Sequence, residues 1–216
     1  MEKLNMPEEV LIVPIREEHI EDLVDVYQEA FQDSASGKMG RRYARNFLSW
    51  FMTCEDGIAL TAVEGKTVLG FVVGAVMGYQ KNLNRYMFWT VFWSLIRRPH
   101  LWIKKDIIRN IVARVQVVLG MHSKQVSATG VHYPQPCMSY VGVAVSSKAR
   151  GKGVGKKFNS TFLNICENSD RIVAVRSTSH EDNVPACRIY VDLGWKEVAK
   201  NEAGYIEWLK VFDENK

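Results

Sequence analysis

The sequence has little of what would mark a disulfide, zinc or membrane protein. Its 216 residues contain four cysteines, Cys54, Cys137, Cys166 and Cys187. They lie far apart, with no C-x-x-C pair and no Cys/His cluster at zinc-ligand spacing. They read as free thiols of a reducing compartment, and no metal is expected. Long hydrophobic runs are also missing. The longest apolar stretch, Met87 to Ile96, is broken by Thr90 and Ser94 and ends at Arg97-Arg98-Pro99. That is about half of what a bilayer span needs. Met1 to Val10 carries Glu2, Glu8 and Glu9, which does not read as a secretory signal. A soluble, cytoplasmic protein is the expectation. A large excess of one charge sign is also missing: 28 Lys and Arg stand against 24 Asp and Glu, for a formal net charge of +4. Such a balance favours anionic ligands without indicating nucleic acid, and no nucleic-acid partner is expected. There is no internal repeat and no low-complexity tract.

What is present suits one domain over 1–216, with 47% hydrophobic residues to build a core. Leu11 to Arg16 reads as a strand. From Glu18 the pattern turns helical, with Ile20, Leu23, Val24, Tyr27, Ala30 and Phe31 on one face. Asp33 to Gly40 reads as a loop. Tyr43, Phe47, Trp50 and Phe51 mark a second helix. Ile58–Val63 and Thr67–Gly78 read as a hairpin around Glu64-Gly65-Lys66. Gly70, Gly74 and Gly78 within its second strand mark a bulge or a close backbone approach.

Residues 79–136 differ in character and read as an inserted helical pair. Tyr86, Phe88, Trp89, Phe92 and Trp93 form an aromatic cluster, and Leu101 to Leu119 carries a helical apolar stripe. Met121 to Pro136 reads as a polar loop. Beyond it come a strand (Ser139–Val145), a glycine-rich turn, a helix (Gly155 to about Glu167) and a strand (Arg171–Arg176). A helix over Ala186–Leu193 is capped by Gly194, and Trp195–Ala199 and Gly204–Phe212 close the chain as strands. The expected class is α/β (α+β), a mixed sheet with flanking helices and some parallel pairing in the second half.

The chemistry concentrates at the glycine turn. Val141-Gly-Val-Ala-Val145 leads into Ser-Ser-Lys-Ala-Arg150-Gly-Lys-Gly-Val-Gly155-Lys-Lys. A strand entering a helix through glycines presents unpartnered amides and the positive end of the helix dipole to an anion. Arg150, Lys152, Lys156 and Lys157 add charge. The segment fits neither the P-loop pattern nor the G-x-G-x-x-G pattern. By itself it supports an anion site of unspecified kind, or a solvated basic loop.

Arg150-x-x-Gly153-x-Gly155 after an apolar strand resembles the acyl-CoA signature of the GNAT superfamily of N-acetyltransferases. Asn183-x-x-Ala186-x-x-Ile189-Tyr190-x-x-x-Gly194-Trp195 resembles that family's downstream Asn-x-x-Ala…Tyr…Gly-Phe segment. The likeness is close over about Met138 to Val211 and agrees in element order before that. The insertion departs from the minimal family pattern. The resemblance implies a centrally splayed sheet and acetyl-CoA as cosubstrate. Its pyrophosphate would lie on Arg150, Gly151, Lys152, Gly153, Val154 and Gly155, with Lys156 close by. Val143 and Val145 would bind the pantetheine arm through their backbone, and an amide of that strand would stabilise the oxyanion.

Tyr190 would protonate the leaving thiolate, or would merely pack its helix onto the sheet. Asn183 would bind near pantetheine, or would cap a helix. The base candidates are His180, Glu181, His132 and Glu64, with His180 and Glu181 placed just beyond the fifth strand. The acceptor is expected to be a primary amine of a small molecule. A looser resemblance points to GNAT proteins of surface-polysaccharide and sugar-nucleotide pathways. It is carried by Tyr27-x-x-Ala30-Phe31 with Gly40, Phe47-Leu48, Val68-Leu69-Gly70-Phe71-Val72 and Arg97-Arg98-Pro99. It suggests an amino sugar, with or without a linked nucleotide. Transfer of a longer acyl group and a non-catalytic acyl-CoA-binding module are the alternatives. Segment 86–119 is expected to widen the acceptor site, to touch an anionic acceptor or membrane surface through Arg97, Arg98, Lys104 and Lys105, or to form a homodimer contact.

Overall fold

The structure is a computed structural model and describes residues 9–97 and 130–212. Among these residues seven strands form one sheet in the order β1-β2-β3-β4-β5-β7-β6. They are β1 (Leu11–Pro14), β2 (Gly57–Glu64), β3 (Thr67–Val76), β4 (Cys137–Val145), β5 (Ala174–His180), β6 (Lys196–Lys200) and β7 (Tyr205–Val211). The helices are α1 (Ile20–Phe31), α2 (Arg41–Thr53), α3 (Tyr79–Arg97), α4 (Val154–Glu167) and α5 (Val184–Asp192). All neighbouring strands pair antiparallel except β4 and β5.

Each face of the sheet carries its own core. Ile20, Leu23, Val24 and Tyr27 of α1 pack with Leu48 and Phe51 of α2 against Phe71, Val73 and Ala75 of β3. On the other face Phe158 and Phe162 of α4 and Tyr190 of α5 pack against Leu69, Val72, Tyr140, Val175 and Trp208. Alternation from Phe71 to Ala75 supplies both sides, because successive residues point to opposite faces, and the β2–β3 bulge at Leu69 turns that residue to the same face as Val72. The α1 stripe follows its helical spacing with one correction: Ala30 is exposed, and Val26 is buried in its place.

Gly70 and Gly74 mark close approaches. A Cβ at Gly70 would lie 2.3 Å from the Ala144 carbonyl oxygen, and one at Gly74 would lie 2.4 Å from Phe162 Cζ. The hairpin turn is at Gly65, whose φ of 59° is left-handed. Gly194 ends α5 at φ 72°, and Lys210 Nζ caps the Leu193 carbonyl at 2.8 Å.

Several boundaries move. The strand expected over Arg171–Arg176 starts three residues later and runs to His180, so His180 belongs to β5 rather than to the loop beyond it. The expected loop over Asp33–Gly40 contains a 3-10 turn at Gly37–Met39. Tyr133, within a stretch expected to be a polar loop, is fully buried. Of the expected helical pair, α3 is the first member. It docks through buried Met87, Thr90 and Ser94, and Asn46 Nδ2 donates to Thr90 Oγ1 at 2.6 Å. Its aromatic residues Trp89, Phe92 and Trp93 are exposed. The second expected helix, Leu101–Leu119, lies outside the described residues, as do Arg98, Lys104 and Lys105.

Candidate active site

β4 and β5 run side by side for only three register pairs: Cys137 with Ala174, Met138 with Val175, and Ser139 with Arg176. Beyond Ser139 the strands part, although β4 stays paired to β3 as far as Val145. The rest of β4 therefore has one edge open. Val143 and Val145 lie on this stretch, and both are half-buried. A register shift opposite Val73 and Gly74 leaves Val141 as an extra residue, a bulge two residues past the last β4–β5 pair. Bulges re-aim local backbone groups, and this one sits where the sheet splits.

At the far end of β4 the chain enters the glycine turn. Gly151 and Gly153 take φ of 80° and 74°, and a Cβ on either would meet no atom within 4 Å. The space above both is open. Gly153 is the N-cap of α4 and brings no side chain to its amides. Within the turn, the Lys152 amide donates to Ala149 O and the Arg150 amide to Ser147 O. The amides of Gly151, Gly153, Val154, Gly155 and Lys156 make no backbone hydrogen bond among the described residues. Five free donors at a helix start are able to hold an anion. Arg150 and Lys152 thus offer side chains rather than amides.

The side-chain charges of the turn are partly spoken for. Lys152 Nζ lies 2.9 Å from Glu64, which is thereby engaged in an ion pair, and Lys156 lies 3.5 Å from Asp192. Arg150 has no ion pair among the described residues. The turn is braced from α1, where Glu29 accepts from the Ser147 amide at 3.0 Å. That hydrogen bond, with Arg150 nearby, holds the Glu29 carboxyl below its ordinary pKa.

Tyr190 projects from α5 into the interior beneath the open fork. Its ring packs among Tyr140, Trp195 and Trp208. Its hydroxyl lies 2.8 Å from Ser177 Oγ, and Ser177 is the first β5 residue past the last β4–β5 pair. Burial pushes the phenol pKa up to about 12, only partly offset by the Ser177 bond. The group is therefore a neutral O–H donor throughout the physiological range. Asn183 is the N-cap of α5, and its Oδ1 accepts from the Ala186 amide at 3.3 Å.

His180 and Glu181 lie at the opposite end of β5 from the last pair, roughly 13 Å along the strand from Arg176 at about 3.3 Å per residue. His180 Nδ1 accepts from the Asp182 amide at 3.2 Å, so Nε2 carries the proton and donates to Ala203 O at 3.0 Å. Glu181 pairs with Lys200 at 2.6 Å, which lowers its pKa. His132 is exposed.

Where the strands part, a cavity of about 130 Å³ is lined by Tyr79, Ser139, Tyr140, Val141, Arg176, Ser177 and Thr178. Tyr79 and Val141 line it from the α1–α2 side of the sheet, and Tyr140 and Ser177 from the side that carries Tyr190. Arg176 and Ser139 did not stand out in the sequence, because a single arginine or serine in an alternating strand reads as a solvated residue. Nearby, Tyr133 donates its hydroxyl to Glu207 of β7, a buried carboxylate that sequence reading also missed.

A model of the acetyltransferase (GNAT) family matches residues 20–195. The chain belongs to the GNAT family. It is an acetyl-CoA-dependent acyltransferase of the N-acetyltransferase class, and its splayed sheet is the GNAT fold. Solved structures with this fold include a GCN5-related N-acetyltransferase from Kribbella flavida, 13% identical with a TM-score of 0.58 over 94% of this chain and 98% of that one. The PaiA N-acetyltransferase of Thermoplasma acidophilum, solved with coenzyme A, is 13% identical with a TM-score of 0.57 over 94% and 99%. Arabidopsis thaliana NAA60, solved with a bisubstrate analogue, is 12% identical with a TM-score of 0.57 over 95% and 99%. No curated protein sequence matches this GNAT chain. Among its described residues no helix is long and apolar enough to cross a membrane, and no group of three or more His, Cys, Asp or Glu is placed to hold a metal. All four cysteines are free thiols.

Proposed function

We propose that this GNAT protein acetylates the primary amine of a small molecule, an amino sugar being the favoured acceptor class. The pyrophosphate of acetyl-CoA lies on the amides of Gly151, Gly153, Val154, Gly155 and Lys156, with Arg150 beside it. The pantetheine arm follows the open edge of β4 past Val145 and Val143. The amide at the Val141 bulge faces the thioester carbonyl and stabilises the charge that develops on its oxygen. The acceptor amine enters from the cavity at the fork and attacks directly.

Tyr190 gives its proton to the departing thiolate as the carbon–sulfur bond breaks. Water in the cavity takes the proton of the amine, since His180 and Glu181 stand at the far end of β5 with partners of their own. The observation that carries this reading is the Tyr190 hydroxyl, buried and neutral, at the point where β4 and β5 part.

The test combines binding and turnover. Acetyl-CoA at about 100 times its Kd raises stability by roughly 2.7 kcal/mol, a clear rise in melting temperature. A panel of amines and amino sugars, read by free thiol release, then identifies acceptors. Acetyl-CoA without effect on melting, or binding without thiol release for any amine, defeats the reading.

A further inference from the structure

Ser139 and Arg176 are the last residues paired across β4 and β5, and both line the cavity on the acceptor side. Each carries a polar group without an adequate partner. The Ser139 hydroxyl is buried and makes no hydrogen bond among the described residues. The Arg176 side chain is half-buried. Its guanidinium makes one long hydrogen bond, 3.4 Å to Thr178 Oγ1, and no ion pair among the described residues. Buried polar groups normally find partners, and a cation withdrawn from water without a counter-charge is costly.

A carboxylate is present on the same side of the sheet, yet it is used elsewhere. Glu207 faces Thr178 across β5 and β7 and accepts the Tyr133 hydroxyl. The ring of Tyr133, fixed by that bond, lies under the guanidinium, with Arg176 Cζ 4.8 Å from its centroid. Stacking of this kind holds the planar donor fork in one orientation. A fixed, unneutralised guanidinium beside an unpartnered hydroxyl, in a cavity, is a receptor for an oxyanion.

We infer that Arg176 and Ser139 bind an anionic group, a carboxylate or a phosphate, carried by the acceptor itself. This rests on the transferase reading above, which brings the amine to the Val141 bulge. Ser139 and Val141 are two residues apart, about 7 Å of strand. The acceptor therefore holds its amine and its anion roughly that far from one another. Arg176 is a specificity-determining residue: it selects anionic amines over neutral ones of the same shape.

The experiment measures kcat/KM for matched pairs: 4-aminobutyrate against butylamine, and glucosamine 6-phosphate against glucosamine. In the wild type the anionic member of at least one pair is preferred by roughly 10- to 100-fold, the effect of one charge-assisted contact. The pair that shows the preference identifies the anion as carboxylate or phosphate. Arg176→Gln brings that ratio toward one, and Arg176→Lys restores part of it. Ser139→Ala lowers the ratio by a smaller factor. Melting temperature with and without acetyl-CoA checks that each variant is folded and binds its cosubstrate. A wild type that acetylates both members of each pair equally, or an Arg176→Gln variant that keeps the wild-type ratio, overturns this inference alone. A protein that neither binds nor consumes acetyl-CoA overturns the transferase reading and this inference with it.

Discussion

The Tyr190 hydroxyl and the Ser177 hydroxyl meet at 2.8 Å between α5 and the first residue of β5 beyond the last β4–β5 pair. The contact ties the proposed proton donor to the strand whose divergence makes the cleft. It also orients the phenol, because a ring packed on Trp195 and Trp208 has little freedom except at its hydroxyl.

Tyr190→Phe keeps the ring and removes only the hydroxyl. Turnover falls by about 10²- to 10⁴-fold, the usual range for a positioned acid. Affinity for acetyl-CoA changes little, and stability drops by about 1 kcal/mol for the lost hydrogen bond. Steady-state kinetics and calorimetry with coenzyme A separate the two effects. Equal turnover in the variant would show that another group protonates the thiolate.

Burial raises the Tyr190 phenol from 10 to about 12, and raises the Cys137 and Cys166 thiols from 9 to about 12. A raised folded-state pKa means that the native state holds its proton more tightly than the unfolded chain does. That contribution is fully present below the unfolded value and is lost as pH climbs toward about 12. For Tyr190 the loss across pH 10 to 12 is about 2–3 kcal/mol. Stability from urea unfolding is therefore flat from pH 7 to 8 and declines from about pH 9 upward. Tyr190→Phe and Cys166→Ala each make the decline shallower. A flat profile through pH 11 would refute it.

Gly153→Glu puts a carboxylate into the open space above the turn, among the five unpaired amides. Coenzyme A affinity falls by more than about 100-fold, through displacement and charge repulsion of the pyrophosphate. Any side chain at φ 74° also costs about 1 kcal/mol of backbone strain. Gly153→Ala carries that strain without the carboxylate and serves as the control for stability. Unchanged affinity in Gly153→Glu would remove the cradle from this turn.

Gly70→Ala and Gly74→Ala test the packing of the sheet. Their new methyl groups collide with the Ala144 carbonyl and with Phe162, neither of which can retreat without moving β4 or α4. Each substitution costs roughly 1–3 kcal/mol by overpacking, read as a lower denaturant midpoint with an unchanged slope.

Periodicity and turn chemistry made much of the fold legible. The stripe Ile20, Leu23, Val24 and Tyr27 could only belong to a helix with one buried face. Thr67 to Val76 could be followed as a strand because its β-branched residues sit between the Gly65 turn and Gly78. The glycine turn was legible because Gly151 and Gly153 do what few other residues do, adopting positive φ without penalty. Asn183 and Gly194 showed where α5 begins and ends, since a side-chain acceptor and a left-handed residue are local requirements.

What only the tertiary structure decided is which groups meet. Arg176, Ser139, Tyr133 and Glu207 are far apart in sequence and individually unremarkable. They converge because β5 pairs with β4 on one side and β7 on the other. Burial then separates an unpaired guanidinium from a solvated one. The same convergence moved His180 to the end of a strand and gave both it and Glu181 local partners. The sequence by itself determined the glycine turn at a helix start and the chain's place in a family, because both depend on short segments with local backbone demands. The acceptor side had to wait for the structure, because a binding cavity is a property of neighbours that no spacing along the chain encodes.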